Sequence, residues 1–494
     1  MRAGASVISG VVHFFNPDRE TSLWGFFVFL TVMFWSKDMN ILQISYLKLA
    51  DHKNGKRLWL QGLRLEDAGY EIGSFYSLHY DDVKRQLLLS SSDQGSNKVC
   101  RKKVGDHFYP LIDIVNQKLS ALFEGVERVQ VTIEPGKIII EYHQFDRKRL
   151  DREKRLEQIL KNGLAVPIAS MAHGAGIMDY YLHKGLGETG VRSGMIWAVE
   201  PENTYLQTSL NNNPTWSYQS QVIEGRIEDV DAKQLQSPLM IFAGLPCTGA
   251  SKSGRVKNKL AFAEAHETAG TAFIGWLMAI KELSPAILVL ENVPEYQSTV
   301  SMHMIRETLT DWRYNLHEVI VGCELGAFED RKRLCVIAVS EGLDFDLDLQ
   351  PVRQREQTLA AILDDIAVDA KCWSPCDYLD KKAVRDKQAG KGFFMQLVDG
   401  ESLKVGCIGK GYSKWRSTEP LVKHPIDPSL KRLLTVNELS QVKTIDKSLV
   451  QGMSRTKQIE MMGQSVLGVA FQAVGRNLGK CLTRQFLSHE FEAA

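Results

Sequence analysis

A cysteine stands directly after an apolar, strand-like run, in the segment Gly244-Leu-Pro-Cys247. Cysteines among apolar residues usually pack as inert small hydrophobes. Cys247, however, comes at the predicted carboxyl end of a strand, behind the rigid Pro246 and ahead of small residues, where a nucleophile would be presented to a ligand. We therefore predict that Cys247 acts as a thiolate nucleophile.

A glutamate ends the next apolar run, in Leu290-Glu291-Asn-Val-Pro294. Because burial of an unpaired carboxylate is costly, this position predicts a functional acid, with a surface salt bridge as the alternative. Two arginines, Arg331 and Arg333, come just before another apolar run. By themselves these arginines fit a surface ion pair.

Two glycines follow an earlier apolar run, in Ala172-His-Gly-Ala-Gly176. Glycine lets the backbone turn sharply and approach a ligand closely. This is not a dinucleotide-binding fingerprint, and by itself it fits a plain tight turn equally well. Glu200 ends the next strand-like run, where an acid can hold both hydroxyls of an adenosine ribose. Together these residues predict an adenosine-type cofactor site.

Two sections of the chain are rich in cations. The first section, from Thr248 to Leu260, contains no acidic residue, so its cations are suited to binding phosphates. The residues predicted to contact phosphates are Ser251, Lys252, Arg255, Lys257 and Lys259. The section 381–416 combines nine lysines or arginines with Phe393, Phe394, Tyr412 and Trp415. That mixture predicts a surface that faces a nucleic-acid groove, and a merely soluble loop region is the alternative.

The candidate residues are placed by apolar runs that alternate with helical stretches. The strand-like runs are 166–170, 195–199, 239–243, 286–290 and 334–338. Near-continuous apolar strands indicate burial on both faces, which predicts an α/β fold with a Rossmann-like, doubly wound, mostly parallel sheet. Ligands of such sheets bind at the carboxyl ends of the strands. Upstream, short apolar stretches separated by glycine turns from 57 to 142 predict a β-rich unit.

Taken in order, these segments resemble the motifs of the C5-cytosine DNA methyltransferases over 166–494. The matching segments are His173-Gly-Ala-Gly, Pro246-Cys247, Glu291-Asn-Val, Arg331-Lys-Arg333, Arg432-Leu-Leu-Thr435 with Glu438, and Gly463-Gln-Ser-Val466. Any one of them is weak evidence, but six in the right order make a specific resemblance. It implies a class I S-adenosylmethionine-dependent methyltransferase fold with a small target-recognition insert.

The chain departs from the family pattern at four places. Leu245-Pro-Cys-Thr248 replaces Phe-Pro-Cys-Gln, Glu329 replaces a glutamine, and Gln464 replaces an asparagine. Arg226 stands where the family has an aspartate that holds the adenine amine, and Asp229 is a candidate substitute. Because the nucleophile, the acid and the paired arginines remain, an active enzyme is expected.

The resemblance also implies a mechanism and its ligands. Cys247 would add to C6 of a flipped-out cytosine, and Glu291 in its protonated form would donate to N3. Arg333, with Arg331, would hold O2 and a nearby phosphate. S-adenosylmethionine is the implied cofactor, bound by Ala172, His173, Gly174, Ala175, Gly176, Glu200, Pro246, Gln464, Ser465 and Val466. The implied partners are double-stranded DNA and a cognate restriction endonuclease, and a monomer is expected.

Two alternatives share these motifs. A methyltransferase that acts on tRNA cytosine would need the same cysteine and glutamate. A DNA-binding regulator with a vestigial catalytic domain would account for Arg226 and Gln464. The intact Cys247, Glu291 and Arg333 argue against the regulator, and the basic insert and the large N-terminal unit favour duplex DNA over RNA.

Bulk properties set the remaining limits. Of the 494 residues, 44% are hydrophobic and 24% are charged, which excludes a disordered chain. The 60 basic and 59 acidic residues nearly cancel, so any binding of nucleic acid must depend on local patches of positive charge. Eight scattered cysteines predict a reducing, cytoplasmic compartment. The apolar run Leu23–Trp35 is too short to span a membrane, and Cys372 and Cys376 lack the further ligands that a metal needs.

The expected organisation has six parts. Residues 1–38 are predicted to be an upstream extension that is not native, and 39–145 a β-rich accessory domain. Residues 146–164 are predicted to form a solvated linker helix, because charges are dense there and apolar residues recur at helical spacing. A cofactor-binding catalytic domain is expected at 165–344, a target-recognition region at 345–430, and a segment that completes the catalytic domain at 431–494.

Overall fold

The computed structural model describes residues 43–62, 65–247, 250, 264, 270–390 and 395–487, together with two short paired strands, β1 (Val7–Ile8) and β2 (Val11–Val12). The chain divides into two compact units, Met1–Gln144 and Phe145–Ala494. Apart from β1 and β2, the predicted extension 1–38 lies outside the described residues. None of the helices in the described ranges is long and apolar enough to cross a membrane.

Besides the β1–β2 pair, the first unit contains two larger antiparallel sheets, which confirms the predicted β-rich character. One sheet has the order β3-β11-β12-β7-β6-β8 and the other β4-β5-β10-β9. Along β11 and β12, buried side chains alternate with partly exposed ones, because successive side chains of a strand point to opposite faces. The elements are β3 (Gln43–Lys48), β4 (Ala50–His52), β5 (Gly55–Gln61), β6 (Phe75–Asp81), β7 (Gln86–Ser91), β8 (Asn97–Lys98), β9 (Cys100–Val104), β10 (His107–Val115), α1 (Gln117–Leu122), β11 (Arg128–Glu134) and β12 (Lys137–Tyr142).

The second unit is built around a seven-stranded sheet with the order β15-β14-β13-β16-β17-β19-β18. The first five strands of this order are parallel, and β19 runs antiparallel to both β17 and β18. The elements up to the end of this sheet are α2 (Gln144–Lys161), β13 (Val166–Met171), α3 (Ile177–Gly187), β14 (Ser193–Glu200), α4 (Asn203–Asn212), β15 (Gln221–Glu224), β16 (Met240–Gly244), α5 (Ala272–Leu283), β17 (Ile287–Asn292), α6 (Val300–Asp311), β18 (Tyr314–Val321) and β19 (Arg333–Ser340).

A smaller four-stranded sheet, β20-β23-β22-β21, follows in the region where the β-α alternation stops. The remaining elements are β20 (Ser374–Pro375), α7 (Asp377–Gln388), β21 (Gln396–Val398), β22 (Pro420–Lys423), β23 (Leu430–Arg432), α8 (Val436–Val442), α9 (Arg455–Gln464) and α10 (Gly468–Phe486). Residues 391–394, which include Phe393 and Phe394 of the predicted groove-facing surface, lie outside the described residues.

The central strands of the large sheet are buried on both faces. Neighbouring positions along each strand enter two separate hydrophobic clusters, one containing Ile168, Phe242, Val289 and Ile337 and the other containing Ala169, Ile241, Leu288 and Val336. Burial of both faces explains why these strands are near-continuous apolar runs. The predicted doubly wound, mostly parallel α/β sheet is therefore confirmed.

The C-terminal helix α10 lies against α3, the helix that follows the glycine loop. Glycines allow the two backbones to approach closely: a Cβ on Gly475 would lie 2.3 Å from the carbonyl oxygen of Leu182, and one on Gly185 would lie 2.2 Å from that of Gln472. Many α10 side chains belong to the same hydrophobic cluster as β13. Helix α10 is thereby fixed next to α3 and the first strand of the large sheet, β13.

Helix α2 differs from the solvated linker predicted for 146–164. Arg152 is buried, and its guanidinium donates hydrogen bonds to Ser340 Oγ at 2.8 Å and to the Trp312 carbonyl oxygen at 3.1 Å. The guanidinium also lies 3.6 Å from the ring centroid of Tyr314. The high density of charged residues in this helix does not mean that the helix is exposed to solvent. A long arginine side chain can be buried when its polar contacts are made within the protein. The helix is an integral part of the second unit.

Candidate active site

The ends of three adjacent strands bring the predicted nucleophile, acid and second arginine together. Gly244 of β16 is in register with Glu291 of β17, which is in register with Cys335 of β19. Cys247 follows β16 by three residues, and Arg333 is the first residue of β19. Because β19 runs against β17, its start lies beside the carboxyl end of β17.

Glu291 and Arg333 form an ion pair at this edge of the sheet. The distance from Arg333 Nε to Glu291 Oε1 is 2.9 Å, and the two side chains are 15% and 16% exposed. Partial exposure leaves both groups within reach of a ligand that enters from solvent. A carboxyl and a guanidinium side by side can donate to and accept from the polar edge of one planar ring.

The Cys247 thiol responds electrostatically to these same groups. Burial raises the pKa of Cys247, and the Glu291 carboxylate raises it further, whereas the guanidinium groups of Arg333 and Arg331 lower it. Because the net shift is upward, the free protein carries a protonated thiol near neutral pH. The thiolate predicted from the sequence is therefore not the resting form, and it has to be generated during reaction.

Asn292 anchors the loop that carries Cys247, a role that the sequence did not distinguish from a simple turn. Its side chain is buried, its Nδ2 donates to the Leu245 carbonyl oxygen at 3.2 Å, and its Oδ1 accepts from the Val293 N–H at 2.9 Å. The hydrogen bond to Leu245 ties the end of β17 to the loop after β16. This fixes Cys247 relative to Glu291.

The glycine loop after β13 has a backbone that is left-handed at three positions. The φ angles are 53° at Ala172, 58° at Gly174 and 70° at Gly176. A Cβ on Gly176 would lie 2.5 Å from Ser209 Oγ and 2.6 Å from His173 Nε2, so a larger residue cannot fit there. A Cβ on Gly174 would meet nothing within 4 Å, so the loop borders open space at this point.

Glu200, at the end of β14, supports this loop with its carboxylate. Its Oε2 accepts from the Gly174 N–H at 2.7 Å, and its Oε1 accepts from the Glu202 N–H at 3.0 Å. Each carboxylate oxygen has a further lone pair with which it can accept a hydroxyl of a ligand. Loop and acid are therefore adjacent, as the adenosine-site prediction requires.

His173 points into the protein. Its Nδ1 lies 2.9 Å from Ser170 Oγ and 3.1 Å from Asp179 Oδ2, and its Nε2 lies 2.7 Å from Ser209 Oγ. The imidazole is fully buried, with both ring nitrogens in contact with protein atoms. His173 can therefore meet a ligand at the loop only through its backbone, while its side chain holds the loop in shape.

Arg331 does not project beside Arg333. Its side chain is 5% exposed, with Nη1 donating to the Ile408 carbonyl oxygen at 3.2 Å and Nη2 donating to the Gln464 carbonyl oxygen at 2.9 Å. It joins the start of β19 to the region before β22 and to the end of α9. A direct contact with substrate, as predicted from the paired arginines, is not the arrangement in this structure.

The last predicted cofactor segment follows α9. Gln464 is partly exposed, Ser465 donates its hydroxyl to the Met462 carbonyl oxygen at 2.8 Å, and Val466 is buried. A Cβ on the preceding Gly463 would lie 2.4 Å from the Gly409 carbonyl oxygen. The segment is thus held tightly, with Gln464 and Ser465 as its partly exposed polar residues.

The structure describes most of the predicted nucleic-acid surface 381–416 but not the residues predicted to contact phosphates. Ser251, Lys252, Arg255, Lys257 and Lys259 lie outside the described residues. In the surface 381–416, Tyr412 is fully buried and donates its hydroxyl to the Pro420 carbonyl oxygen at 2.8 Å, and Trp415 packs against the same hydrophobic cluster. Tyr412 therefore stabilises the small sheet, and the prediction that it faces a groove was wrong, whereas Trp415 is only partly buried and for it the prediction stays open. Within the described ranges, no cluster of three or more histidine, cysteine, aspartate or glutamate side chains could hold a metal ion.

Comparison with known families decides what this arrangement belongs to. The sequence model of the C-5 cytosine-specific DNA methylases matches residues 167–480. The chain belongs to the C-5 cytosine-specific DNA methylase family. The match begins after the first unit, so the family assignment concerns the second unit.

Similar proteins are found among both curated sequences and solved structures. The type II methyltransferase M.MspI of Moraxella sp is 27% identical over 250 residues, which cover 49% of this chain and 56% of that protein. The type II methyltransferase M1.ScrFI of Lactococcus lactis subsp. cremoris is 24% identical over 272 residues, 53% of this chain and 67% of that protein. The structure of the Entamoeba histolytica methyltransferase EhMeth matches with a TM-score of 0.52 and 17% identity, covering 65% of this chain and 98% of that one, so the fold is shared.

Glu329, which replaces a glutamine of the DNA methylase family motif, is compensated by a distant lysine. Glu329 and Lys443 are both fully buried, and Lys443 Nζ lies 2.5 Å from Glu329 Oε2. Burial lowers the pKa of Lys443 to about 8, against the opposing effect of Glu329. The other carboxylate oxygen of Glu329 accepts from the Ile408 N–H at 2.7 Å. The substitution is thus accompanied by a matching cation.

Arg226, the other charged departure from the family pattern, forms a surface ion pair. Its Nη2 lies 2.7 Å from Glu228 Oε1, which also accepts from Thr271 Oγ1 at 2.8 Å. Asp229, the candidate substitute for the family aspartate, is exposed. Arg226, Glu228 and Asp229 therefore follow β15 closely in the chain, at the place where the family aspartate is expected.

Proposed function

We propose that the protein is a DNA (cytosine-5)-methyltransferase that uses S-adenosylmethionine to methylate C5 of a flipped-out cytosine. The observation that carries this proposal is the position of Cys247, Glu291 and Arg333 at adjacent strand ends in a member of the C-5 cytosine-specific DNA methylase family. The relatives described above are type II methyltransferases, which supports duplex DNA as the substrate and a cognate restriction endonuclease as a partner.

In the proposed reaction, Cys247 supplies the covalent step. Its thiol releases its proton to solvent as sulfur bonds to C6, which makes C5 electron-rich enough to accept a methyl group. Glu291, in its protonated form, donates to N3 and neutralises the charge that develops as sulfur adds. Arg333 donates to O2 and orients the ring. Solvent then takes the C5 proton, and the electron pair of that bond re-forms the C5–C6 double bond. The carbon–sulfur bond breaks to return the Cys247 thiolate, and N3 gives its proton back to Glu291.

The residues at the glycine loop fit an adenosine-type ligand. Gly174 borders open space, and Glu200 retains lone pairs that can accept the ribose hydroxyls. Bound there, S-adenosylmethionine supplies the methyl group. We propose that the binding residues are the backbone of Ala172, His173, Gly174, Ala175 and Gly176, the Glu200 carboxylate, Pro246, and the segment Gln464, Ser465 and Val466.

Access to the target requires the cytosine to leave the duplex, because Cys247 cannot reach C6 inside stacked bases. We propose that the cationic segment 251–259 contacts phosphates near the flipped base. Residues 345–430, which contain β20 to β22, are proposed to read the neighbouring bases, and 431–494 to complete the catalytic domain. The protein is proposed to act as a monomer in the cytoplasm.

Transfer of an isotopically labelled methyl group tests the substrate class. The purified protein is incubated with labelled S-adenosylmethionine and either duplex DNA or tRNA, and the products are digested and separated by chromatography. Label in 5-methylcytosine of DNA is the expected result. Label in tRNA alone would identify an RNA enzyme, and a failure to bind S-adenosylmethionine in calorimetry would identify a regulator with a vestigial catalytic domain. Glu291→Gln is expected to bind the cofactor and to transfer much less label.

A further inference from the structure

The first unit carries a two-stranded ribbon that extends beyond its sheet. Strand β10 pairs with β9 from His107 to Leu111 and with β5 from Leu111 to Val115, so only Leu111 has both neighbours. Within the described residues, no other strand pairs with β9 or with the outer half of β10. Residues 100–111, joined by a tight turn at Gly105-Asp106, are called the ribbon here.

The ribbon is strongly cationic. Three consecutive basic residues occupy β9, a fourth lies two residues before it, and the single acid is Asp106 in the turn; these four ribbon cations are Lys98, Arg101, Lys102 and Lys103. Among the residues that the structure describes, none of the four is paired with a carboxylate. Their charge is therefore available to an anionic partner.

The ribbon also exposes apolar and aromatic surface. Val104 is 46% exposed, Phe108 49% and Tyr109 41%. The Arg101 guanidinium lies 5.2 Å from the ring centroid of Phe108, and Lys102 Nζ lies 4.8 Å from that of Trp59 on β5. These contacts hold cations and rings side by side on the surface. One lysine would be enough to protect an exposed edge strand from aggregation, but exposed aromatic residues do not serve that purpose.

A duplex is the partner that fits this combination. The major groove of B-form DNA admits a two-stranded β-ribbon, and lysine and arginine side chains beside the groove neutralise its phosphates. Pairing of β9 with the same strand of a second copy would bring like charges together, which is unfavourable. Among the described residues, the single ribbon carboxylate, Asp106, is paired with none of the four ribbon cations, which favours a polyanionic partner.

We propose that the ribbon is a second DNA-contacting surface, in which the four ribbon cations contact phosphates while Phe108, on the same face as Arg101 and Lys103, lies against the groove. The proposal rests on the proposed function in taking duplex DNA as the ligand. Because the first unit is covalently joined to the second, DNA held by the ribbon stays at a high effective concentration for the catalytic unit. The ribbon then raises affinity for any sequence and leaves the chemical step unchanged.

The test compares two full-length triple variants with equal charge change. One is Arg101→Gln, Lys102→Gln and Lys103→Gln, which keeps long side chains on the strand. The control is Lys53→Gln, Lys84→Gln and Lys118→Gln, which changes exposed cations of the same unit outside the ribbon. Circular dichroism and thermal unfolding of both variants verify that the fold is retained. If the ribbon variant unfolds, the single variant Lys103→Gln replaces it.

The dissociation constant of a labelled 30-base-pair duplex is measured at several salt concentrations. The ribbon variant is expected to bind at least about tenfold more weakly than the control and to lose about 0.9 units of salt dependence for each phosphate contact removed. In methyl transfer, KM for DNA is expected to rise while kcat is retained. Equal affinity and equal salt dependence in the two variants would overturn the proposal. So would weakened binding of an RNA hairpin only, or a change in self-association measured by sedimentation.

The two proposals fail in different ways in this experiment. If no variant and no wild-type protein transfers methyl groups, but the ribbon variant still binds DNA more weakly, the proposed function fails and the ribbon proposal stands. If methyl transfer is robust and the ribbon variant binds like the control, only the ribbon proposal fails.

Discussion

The proposed reaction of Cys247 depends on the step at which its thiol loses its proton. Burial and the neighbouring Glu291 carboxylate both raise the pKa of Cys247, so the protonated form predominates near neutral pH. The protonated form should protect the proposed nucleophile from alkylation and oxidation in the free protein, because the thiolate is the reactive form. The protonation state of Cys247 can therefore be tested by measuring how fast its thiol reacts in the free protein.

We expect iodoacetamide to alkylate Cys247 in the free protein more slowly at pH 7 than the exposed Cys372. Because the pKa of Cys247 is raised, its thiolate fraction grows with pH, and its rate should increase by up to about tenfold per pH unit below that pKa. Peptide mass spectrometry measures both rates in one sample. A Cys247 rate that is faster than that of Cys372 at pH 7 and independent of pH would contradict the protonated resting state.

Glu200 offers a second prediction at the scale of one residue. Glu200→Gln removes a charged acceptor from the glycine loop and the ribose hydroxyls, so the cofactor should bind about 1.5–3 kcal/mol more weakly, a factor of roughly 10 to 150. Isothermal titration calorimetry measures the dissociation constant. The exposed neighbour Glu202 provides the control, since Glu202→Gln should change it little. Unchanged affinity in Glu200→Gln would refute this placement of the cofactor.

At the scale of elements, a junction around Glu329 connects three parts of the second unit. Glu329 and Val405 form a parallel bridge, Lys443 contributes the cation, and the Glu329 N–H donates to the Val442 carbonyl oxygen at 3.2 Å. Arg331, two residues on, reaches the end of α9. The segment that leads into β19, the region before β22 and the helices α8 and α9 are thereby held together around Glu329 and Arg331.

Removing one partner of this buried pair should be costly. Glu329→Gln or Lys443→Met leaves the other charge buried, and each should lower the free energy of unfolding of the second unit by about 3–5 kcal/mol. The double variant should lose less than either single variant. Urea unfolding followed by tryptophan fluorescence measures the cycle. The exposed pair Glu157 and Lys161 is the control, expected to contribute less than about 1 kcal/mol. Additive losses at Glu329 and Lys443 would show that the pair is not coupled.

Local patterns in the sequence predicted the buried elements well and the exposed or long-range features poorly. The five apolar runs correspond to β13, β14, β16, β17 and β19, because burial on both faces leaves a continuous signature. Strands β15 and β18 were missed because they form the edges of the sheet and carry mixed side chains. Lys443 could not be predicted as a partner of Glu329, since 114 residues separate them.

At the scale of the whole chain, two units of different kinds are covalently joined. The second unit belongs to the C-5 cytosine-specific DNA methylase family, and the family match does not include the first. Within the second unit, the contacts between the proposed recognition region and the segment before β19 include those of Val405 with Glu329 and of Ile408 with Glu329 and Arg331. An exchange of that region between relatives therefore has to preserve these two contacts.

We expect target specificity to follow residues 345–424. Replacing them with the corresponding region of a family member that has another target, while retaining 405–408, should redirect methylation to the new site, because base-edge contacts determine specificity. Sequencing of methylated cytosines measures the outcome. A soluble, active chimera that still methylates the original site would place specificity elsewhere, with the first unit as the next candidate.

The most direct measurement is bisulfite sequencing of plasmid DNA from cells that express the protein, its Cys247→Ser variant or its Cys372→Ser variant. We predict 5-methylcytosine at one recurring sequence with the wild type and with Cys372→Ser. We predict none with Cys247→Ser, because a serine hydroxyl without a strong base is far less nucleophilic than a thiolate. Purified Cys247→Ser should still bind the same DNA. Methylation that persists in Cys247→Ser, or that is absent from wild-type cells containing soluble protein, would contradict the account.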